Sequence, residues 1–288
     1  MRRLTEALLM TAGCLLMPLA GRAESGAGPV PPETPERRLT TVKAEMMAAD
    51  YRADLAGLAR LRDSVAPLTA DPAWGYLAHY WAGFASWRVA INGASKGMSQ
   101  DDMRTNLERA SADFAASIKL RDDFADSYAA AAGVDGWLPL FHSGDTAVIR
   151  AFIDRFQRLI ARAKELAPDN PRVLWVDAVP YLYLPVEKGG NPARAVEIYK
   201  RMVEVSGPLV PSSPLPDWGK PEGLMSLAFA HLKQVPDLAS AEKEARAALQ
   251  LQPEWSYVKD VLLPQIEKAR AAGGAATLTP APAPPNGR

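Results

Sequence analysis

One pattern recurs between residues 38 and 272 and constrains the fold more than any other feature: stretches with apolar side chains at helical intervals come in pairs. In LMSLAFAHLKQVPDLASAEKEARAALQLQP (224–253), Pro236 and Asp237 form a turn between two such stretches. Apolar residues spaced by three and four lie on one face of an α-helix, and that face must be buried against another element. We therefore predict an all-α domain over 38–272 in which neighbouring helices pack as pairs.

The segment from Glu222 to Trp255 resembles a tetratricopeptide repeat, a helix pair with a period of about 34 residues. The second-helix positions of that repeat are occupied by Ala241, Ala245, Ala248 and Pro253. Parts of the same pattern recur at Trp74–Trp81, Ala110–Ala132, Ala163–Tyr181 and Ala195–Tyr199.

This resemblance implies an α-α superhelix, a tetratricopeptide-like solenoid of roughly four helix pairs with a concave face. Irregular inserts at 91–102, 183–190 and 205–221 interrupt the regular spacing. Further helices are expected on either side of the repeats, at 38–66 and at 256–271.

The ends of the chain have a different character. Two arginines precede an apolar run from Ala7 to Ala20, which predicts a signal peptide over 1–23 with cleavage after Ala23. The protein is then periplasmic or secreted; the alternative is a lipoprotein anchored at Cys14. A flexible linker is predicted over 24–37, and a disordered Ala/Pro tail over 273–288.

The composition and motifs argue against several classes of function. Basic and acidic residues balance at 33 each, which offers no charged surface for nucleic acid or an anionic membrane. Cys14 is the single cysteine, and the three histidines stand far apart without a metal-binding motif. No nucleophile motif or phosphate-binding loop is present. We therefore expect neither an enzyme nor a cofactor or metal site, and no later segment long and apolar enough to span a membrane.

The aromatic stretch DPAWGYLAHYWAGFASW (71–87) divides into two helical stripes. One contains Trp74, Leu77, Ala78, Trp81, Phe84 and Ala85 and is expected to be core. The other contains Tyr76, Tyr80, Gly83 and Trp87, and we expect the insert that follows or the preceding helix to cover it. A further tryptophan, Trp218, lies in a proline-rich loop, which it is expected to pin to the core or to hold over the groove as a lid.

Tetratricopeptide repeats usually bind partners through fixed first-helix positions that face the groove. Carried onto this sequence, those positions imply six candidate binding residues: His79, Asp126, Trp137, Arg172, Trp175 and Tyr183. Trp, Tyr and Arg are also the residue types that most often dominate binding energies.

The expected function is an exported, non-enzymatic binding or scaffold protein that recognises a peptide or protein partner in the cell envelope. One alternative is a periplasmic accessory of a transporter that binds an apolar small molecule, which predicts an enclosed pocket of ligand size. Another is a hydrolase whose site assembles from His79, Asp126 and Arg172, which predicts a convergent acid–base pair.

Overall fold

In a computed structural model, the described residues are 33–273 except residue 143, and they contain helices and connecting loops but no β-strand. The α-helices of this part of the chain are α1 (Pro35–Tyr51), α2 (Leu55–Val65), α3 (Gly75–Ala94), α4 (Gln100–Leu120), α5 (Ala125–Asp135), α6 (Thr146–Leu166), α7 (Pro171–Tyr183), α8 (Pro192–Val205), α9 (Lys220–Lys233), α10 (Leu238–Leu251) and α11 (Leu263–Ala271). The prediction of an all-α domain is confirmed.

Several predictions concern residues outside the described ones: the signal peptide 1–23 with its cleavage after Ala23, the alternative anchor Cys14, and the tail from residue 274 onward. The linker was predicted to extend to residue 37, but α1 already begins at Pro35. Proline suits the first turn of a helix, where its missing N–H costs no hydrogen bond. The side chain of Thr34 caps this end by accepting a hydrogen bond from the Arg37 N–H at 3.2 Å.

Neighbouring helices pack as pairs, as the spacing of apolar residues predicts. There are four such pairs, α3–α4, α5–α6, α7–α8 and α9–α10. In each pair the two helices follow one another in the chain and pack extensively against each other. In α10, the fully buried Ala241, Ala245 and Ala248 leave room for α9 to approach closely. The side chains of Asn191 and Asp237 cap the second helices of the last two pairs.

The three inserts differ in structure. The first, 91–102, was expected to be irregular, but α3 continues to Ala94 and α4 begins at Gln100, so only a short turn separates them. The side chain of Ser99 caps α4 and thereby allows this early start. The later inserts do form loops: one after Tyr183 that contains a short 3-10 turn, and a longer one that spans residues 206–219.

The second aromatic stripe of α3 is as well buried as the first, and elements that follow in the chain contribute to its cover. The ring of Tyr76 packs edge-on against Phe124, and the ring of Trp87 packs against Phe114 of α4 and Trp175 of α7. These rings are contacted by α4, α7 and the residue before α5, which were not expected, while the preceding helix α2 also packs extensively against α3. Helix α3 packs most extensively against α4 and α2, and most of its residues are buried.

The first helix also contacts residues far along the chain, which the repeat pattern does not predict. The hydroxyl of Tyr51 donates to Glu222 Oε1 at 2.6 Å, and its ring packs edge-on against Trp255 at 5.0 Å between centroids. The Ser256 hydroxyl donates to the carbonyl of Tyr51 at 3.2 Å. These contacts join α1 to the start of α9 and to the segment that precedes α11.

The packing of α3 on α4 generates a prediction at Gly83. A Cβ atom there would lie 2.9 Å from the ring of the buried Phe114, which has little room to move. We expect Gly83→Ala to lower the free energy of unfolding by about 1–2 kcal/mol, although alanine favours a helix interior by about 1 kcal/mol. Denaturant unfolding measures the change.

Gly207→Ala is the matched control, since a Cβ there meets no atom within 4 Å. Its free energy of unfolding should stay within about 0.5 kcal/mol of that of the parent protein. Equal stability of the two variants would show that α3 and α4 are not packed this closely.

Candidate binding site

Two of the six candidate residues form an ion pair between helices. Arg172 Nε donates to Asp126 Oδ1 at 2.6 Å, and the amide of Asn170, the cap of α7, donates to Asp126 Oδ2 at 3.0 Å. Arg172 Nη1 also donates to the carbonyl of Trp218 at 3.0 Å. Burial by itself lowers the pKa of Arg172, but the Asp126 carboxylate raises it above its ordinary value, so the guanidinium stays charged.

A third candidate, Trp175, lies next to this pair. Its Nε1–H donates to the hydroxyl of Ser226 at 3.1 Å. Its ring contacts those of Trp87 and Trp218, with centroids 5.8 Å away in each case. Through Trp218, the structure therefore brings together Asp126, Arg172 and Trp175.

The other three candidates have different surroundings. His79 Nδ1 lies 2.9 Å from Asp113 Oδ1 of α4, and Trp137 is half-buried against the core at the end of α5. Tyr183 is 57% exposed and packs against Phe229, with 5.8 Å between ring centroids.

The loop 206–219 contacts two of the candidate residues, Arg172 and Trp175, through Trp218. Three side-chain donors from three helices bind its backbone carbonyls: Lys43 Nζ binds Val210 at 2.9 Å, Trp81 Nε1 binds Pro214 at 2.9 Å, and Arg172 binds Trp218. The buried indole of Trp218 donates to the Tyr80 hydroxyl at 3.3 Å. The expectation that Trp218 pins this loop to the core is confirmed.

Sequence reasoning missed the roles of Lys43 and Trp81 in holding the loop. Lys43 is buried and pairs with Asp217 of the loop at 2.8 Å. The helical pattern assigns Trp81 to the core and gives Lys43 no role, and the partners of both residues are more than a hundred residues away in sequence. Spacing within a helix carries no information about such distant partners.

A second polar cluster joins α1, α3 and α9. Asp50 Oδ1 accepts from Arg88 Nε at 2.6 Å and from the side-chain amide of Asn92 at 2.8 Å. Next to it, Glu222 accepts from the Tyr51 hydroxyl and, at 2.8 Å, from the backbone N–H of Gly219. Sequence analysis did not single out any of these residues.

Burial perturbs the ionisation of this cluster. It raises the pKa of Glu222 above its ordinary value, although the hydrogen bonds from Tyr51 and Gly219 act in the opposite direction. Burial, followed by the neighbouring Glu222, raises the pKa of Tyr51 as well. The neutral forms of both groups are therefore favoured in the folded protein.

A small cavity lies between this cluster and the tryptophans, with a volume of about 30 Å³. Sites that enclose a whole small-molecule ligand usually have several hundred Å³. The cavity is lined by Met47, Asp50, Phe84, Trp87, Arg88, Trp175, Trp218, Glu222, Met225 and Trp255.

The described residues contain no group of three or more His, Cys, Asp or Glu side chains arranged to hold a metal ion. Within the same residues, no helix combines the length and the apolar character needed to cross a membrane.

The pair of Asp126 and Arg172 generates a prediction about stability. Removing one partner of a buried pair leaves the other charge without compensation, at a cost of about 3–5 kcal/mol. Arg172→Met should therefore lower the free energy of unfolding by roughly that amount.

The control is Arg201→Met, because Arg201 and its partner Asp169 are both exposed. This variant should lose about 0–1 kcal/mol of unfolding free energy. Similar losses in both variants, measured by denaturant unfolding, would contradict the burial of the pair.

The raised pKa of Glu222 generates a pH-dependent prediction. As pH rises through the ordinary pKa range of a glutamate, Glu222 loses its proton in the unfolded chain but keeps it in the folded protein. The stability that Glu222 contributes at lower pH is therefore lost as pH rises. Glu222→Gln removes this titration, and its amide can still accept from Gly219 and donate to the Tyr51 hydroxyl. Relative to the parent protein, the variant should gain stability as pH rises from about 4, the ordinary pKa of a glutamate, towards neutral.

Unfolding free energies measured across that range test this prediction. Glu254→Gln removes one exposed acidic group and serves as the control. Parallel pH profiles for the parent protein and Glu222→Gln would show that the proton is not held at Glu222.

Comparison with known proteins identified no relative: no family model matches the chain, and no curated protein or solved structure matches it. The similarity to tetratricopeptide repeats therefore stays a prediction from the residues quoted above.

Proposed function

We propose that this chain is an exported, non-enzymatic protein with a tetratricopeptide-like solenoid fold that binds a peptide or protein partner in the cell envelope. The repeat-like sequence pattern and the packing of neighbouring helices as pairs support this fold. The signal-peptide pattern of residues 1–23 supports export to the periplasm or the medium.

The observation that carries the proposal is a group of three exposed apolar side chains on the loop 206–219, called the loop patch below. Its members are Leu209, Val210 and Leu215, which are 51%, 45% and 44% exposed. Exposed apolar side chains grouped on one short segment are typical of surfaces that bind other proteins. This loop patch is therefore the proposed contact surface.

The loop patch is held in a fixed conformation, which favours binding. The backbone N–H of Val210 donates to Asp217 Oδ2 at 2.7 Å, and the same carboxylate oxygen pairs with Lys43. On either side of Leu215, the residues Pro214 and Pro216 are buried. A surface that is already ordered loses less conformational entropy when a partner binds.

The proposed contact surface thus differs from the groove that the resemblance implies. The side chains of Asp126 and Arg172 bind each other, and Arg172 and Trp175 also contact the loop through Trp218. In this proposal these residues support the loop from beneath, and the partner meets its outer edge.

The test is native mass spectrometry of the protein purified from its own cell envelope, with Leu209→Asp and Leu215→Asp combined in one variant. A charge at each position opposes burial in an apolar interface, and loss of a binding hot spot costs about 2 kcal/mol or more. We expect a polypeptide retained by the parent protein to be reduced roughly tenfold or more in the variant.

The control combines Val186→Asp and Leu251→Asp, which add the same charge at exposed apolar positions elsewhere in the chain. It should retain the partner as the parent does. Equal retention by both double variants would remove the loop patch as the contact surface. A retained small molecule without any polypeptide would instead favour the accessory of a transporter.

A further inference from the structure

Three aromatic side chains from three helical segments form a group that is only partly covered. Tyr183 ends α7, Phe229 lies in α9, and Tyr257 precedes the helical turn 258–262 that leads into α11. The rings of Tyr183 and Phe229 pack with 5.8 Å between their centroids. These three residues are called the aromatic patch. None of them belongs to the loop patch, so this inference and the proposed function can fail independently.

The ring of Tyr183 is open to solvent although protein surrounds its hydroxyl. The residue is 57% exposed. Burial, followed by the nearby Tyr257, nevertheless raises the pKa of Tyr183 above its ordinary value. Phe229 and Tyr257 are half-buried. A side chain with both properties lies in a shallow depression, where its hydroxyl meets protein while its ring stays accessible to another chain.

An exposed strip of helix leads from the aromatic patch to the last described residue, Gly273. Val261, Pro264 and Lys268 are exposed, and their spacing of three and four residues places them on the side of the helix that also holds Tyr257. Along this helix, Gly273 lies about 24 Å from Tyr257. A segment that follows Gly273 therefore has an open path back to the aromatic patch.

The sequence after Gly273 suits both this path and an aromatic surface. Residues 275–285 read AATLTPAPAPP and contain no charged side chain. Proline-rich segments favour the polyproline II helix, which has three residues per turn, so Pro282 and Pro285 fall on one side of it. In that conformation, residues 274–281 span about 25 Å. This length brings residues 282–285 to the aromatic patch.

Aromatic surfaces are the usual binding sites for such segments. Proline rings pack against accessible aromatic rings, and the stiff polyproline II helix loses little conformational entropy when it binds. Attachment to the same chain adds a further advantage, because a short tether gives an effective concentration on the order of 1 mM. A contact that is weak between separate molecules is therefore well populated within one chain.

We propose that residues 280–285 of this chain bind its own aromatic patch as a polyproline II helix, with Pro282 and Pro285 against the rings of Tyr183 and Tyr257. The segment then covers Tyr183, one of the residues that the repeat resemblance assigns to partner binding. A partner reaches Tyr183 only after it displaces this segment, whereas the loop patch stays open.

A nitroxide label on the segment tests this contact in the full chain. Cys14→Ser combined with Ala283→Cys leaves one thiol for the label. If the intrinsic Kd is about 1 mM, roughly half of the molecules are in the bound state. The backbone amide signals of Tyr183, Phe229 and Tyr257 in ¹⁵N-labelled protein should then lose roughly half of their intensity or more, relative to the reduced label. Signals from α6 should keep theirs.

Substitutions in the segment test the role of the prolines without altering the helical domain. In the labelled chain, Pro282→Gly combined with Pro285→Gly should lower the bound fraction from roughly a half to roughly a tenth, and the signals of the aromatic patch should recover. The control combines Ala276→Gly and Thr277→Gly, which add the same number of glycines outside the proposed contact. It should behave as the labelled parent does.

Substitutions in the helical domain test the other side of the contact. Tyr183→Ala removes the most exposed ring of the aromatic patch, so the signals of Phe229 and Tyr257 should recover in the labelled chain. Tyr128→Ala removes a half-buried tyrosine of α5 and should leave the intensity losses unchanged.

Three results would overturn the proposal. The first is full intensity of the aromatic-patch signals in the labelled parent. The second is an equal loss of intensity in that parent and in the variant without Pro282 and Pro285. The third is the same loss when the label and the ¹⁵N are on different copies of the chain, which would assign the aromatic patch to the segment of a second copy.

Discussion

The arrangement of this protein depends on the burial of one side chain, that of Trp218. Its ring packs against Phe84 of α3 and Trp175 of α7, and its backbone carbonyl accepts from Arg172. A large aromatic ring contributes much buried apolar area, and its N–H needs an acceptor, which Tyr80 supplies here. A loop residue thus joins two helix pairs that are far apart in sequence.

The charges beneath this loop follow from the same burial. Asp126 and Arg172 are withdrawn from water, so each requires the other, and Lys43 requires Asp217 for the same reason. Such pairs add less to stability than their Coulomb energy suggests, because both partners lose their hydration. Their clearer effect is on specificity: loop conformations that break these pairs leave buried charges without partners.

The loop 206–219 has an exposed outer side and a buried inner side. On the outside, the fixed loop presents Leu209, Val210 and Leu215 to solvent, where a partner can cover them. On the inside, Trp218 forms one wall of the small cavity that Trp87, Trp175 and Trp255 also line. A single structural feature therefore positions both the loop patch and the cavity.

The sequence by itself determined the helices, their packing as pairs and the two later loops, since apolar spacing, caps such as Asn191 and prolines act over a few residues. It also identified Asp126, Arg172 and Trp175, although as groove residues. Only the tertiary structure decided that these side chains lie under a loop and that Tyr51 meets Glu222 and Trp255. Such contacts depend on how successive helix pairs stack, and spacing within one helix carries no record of that.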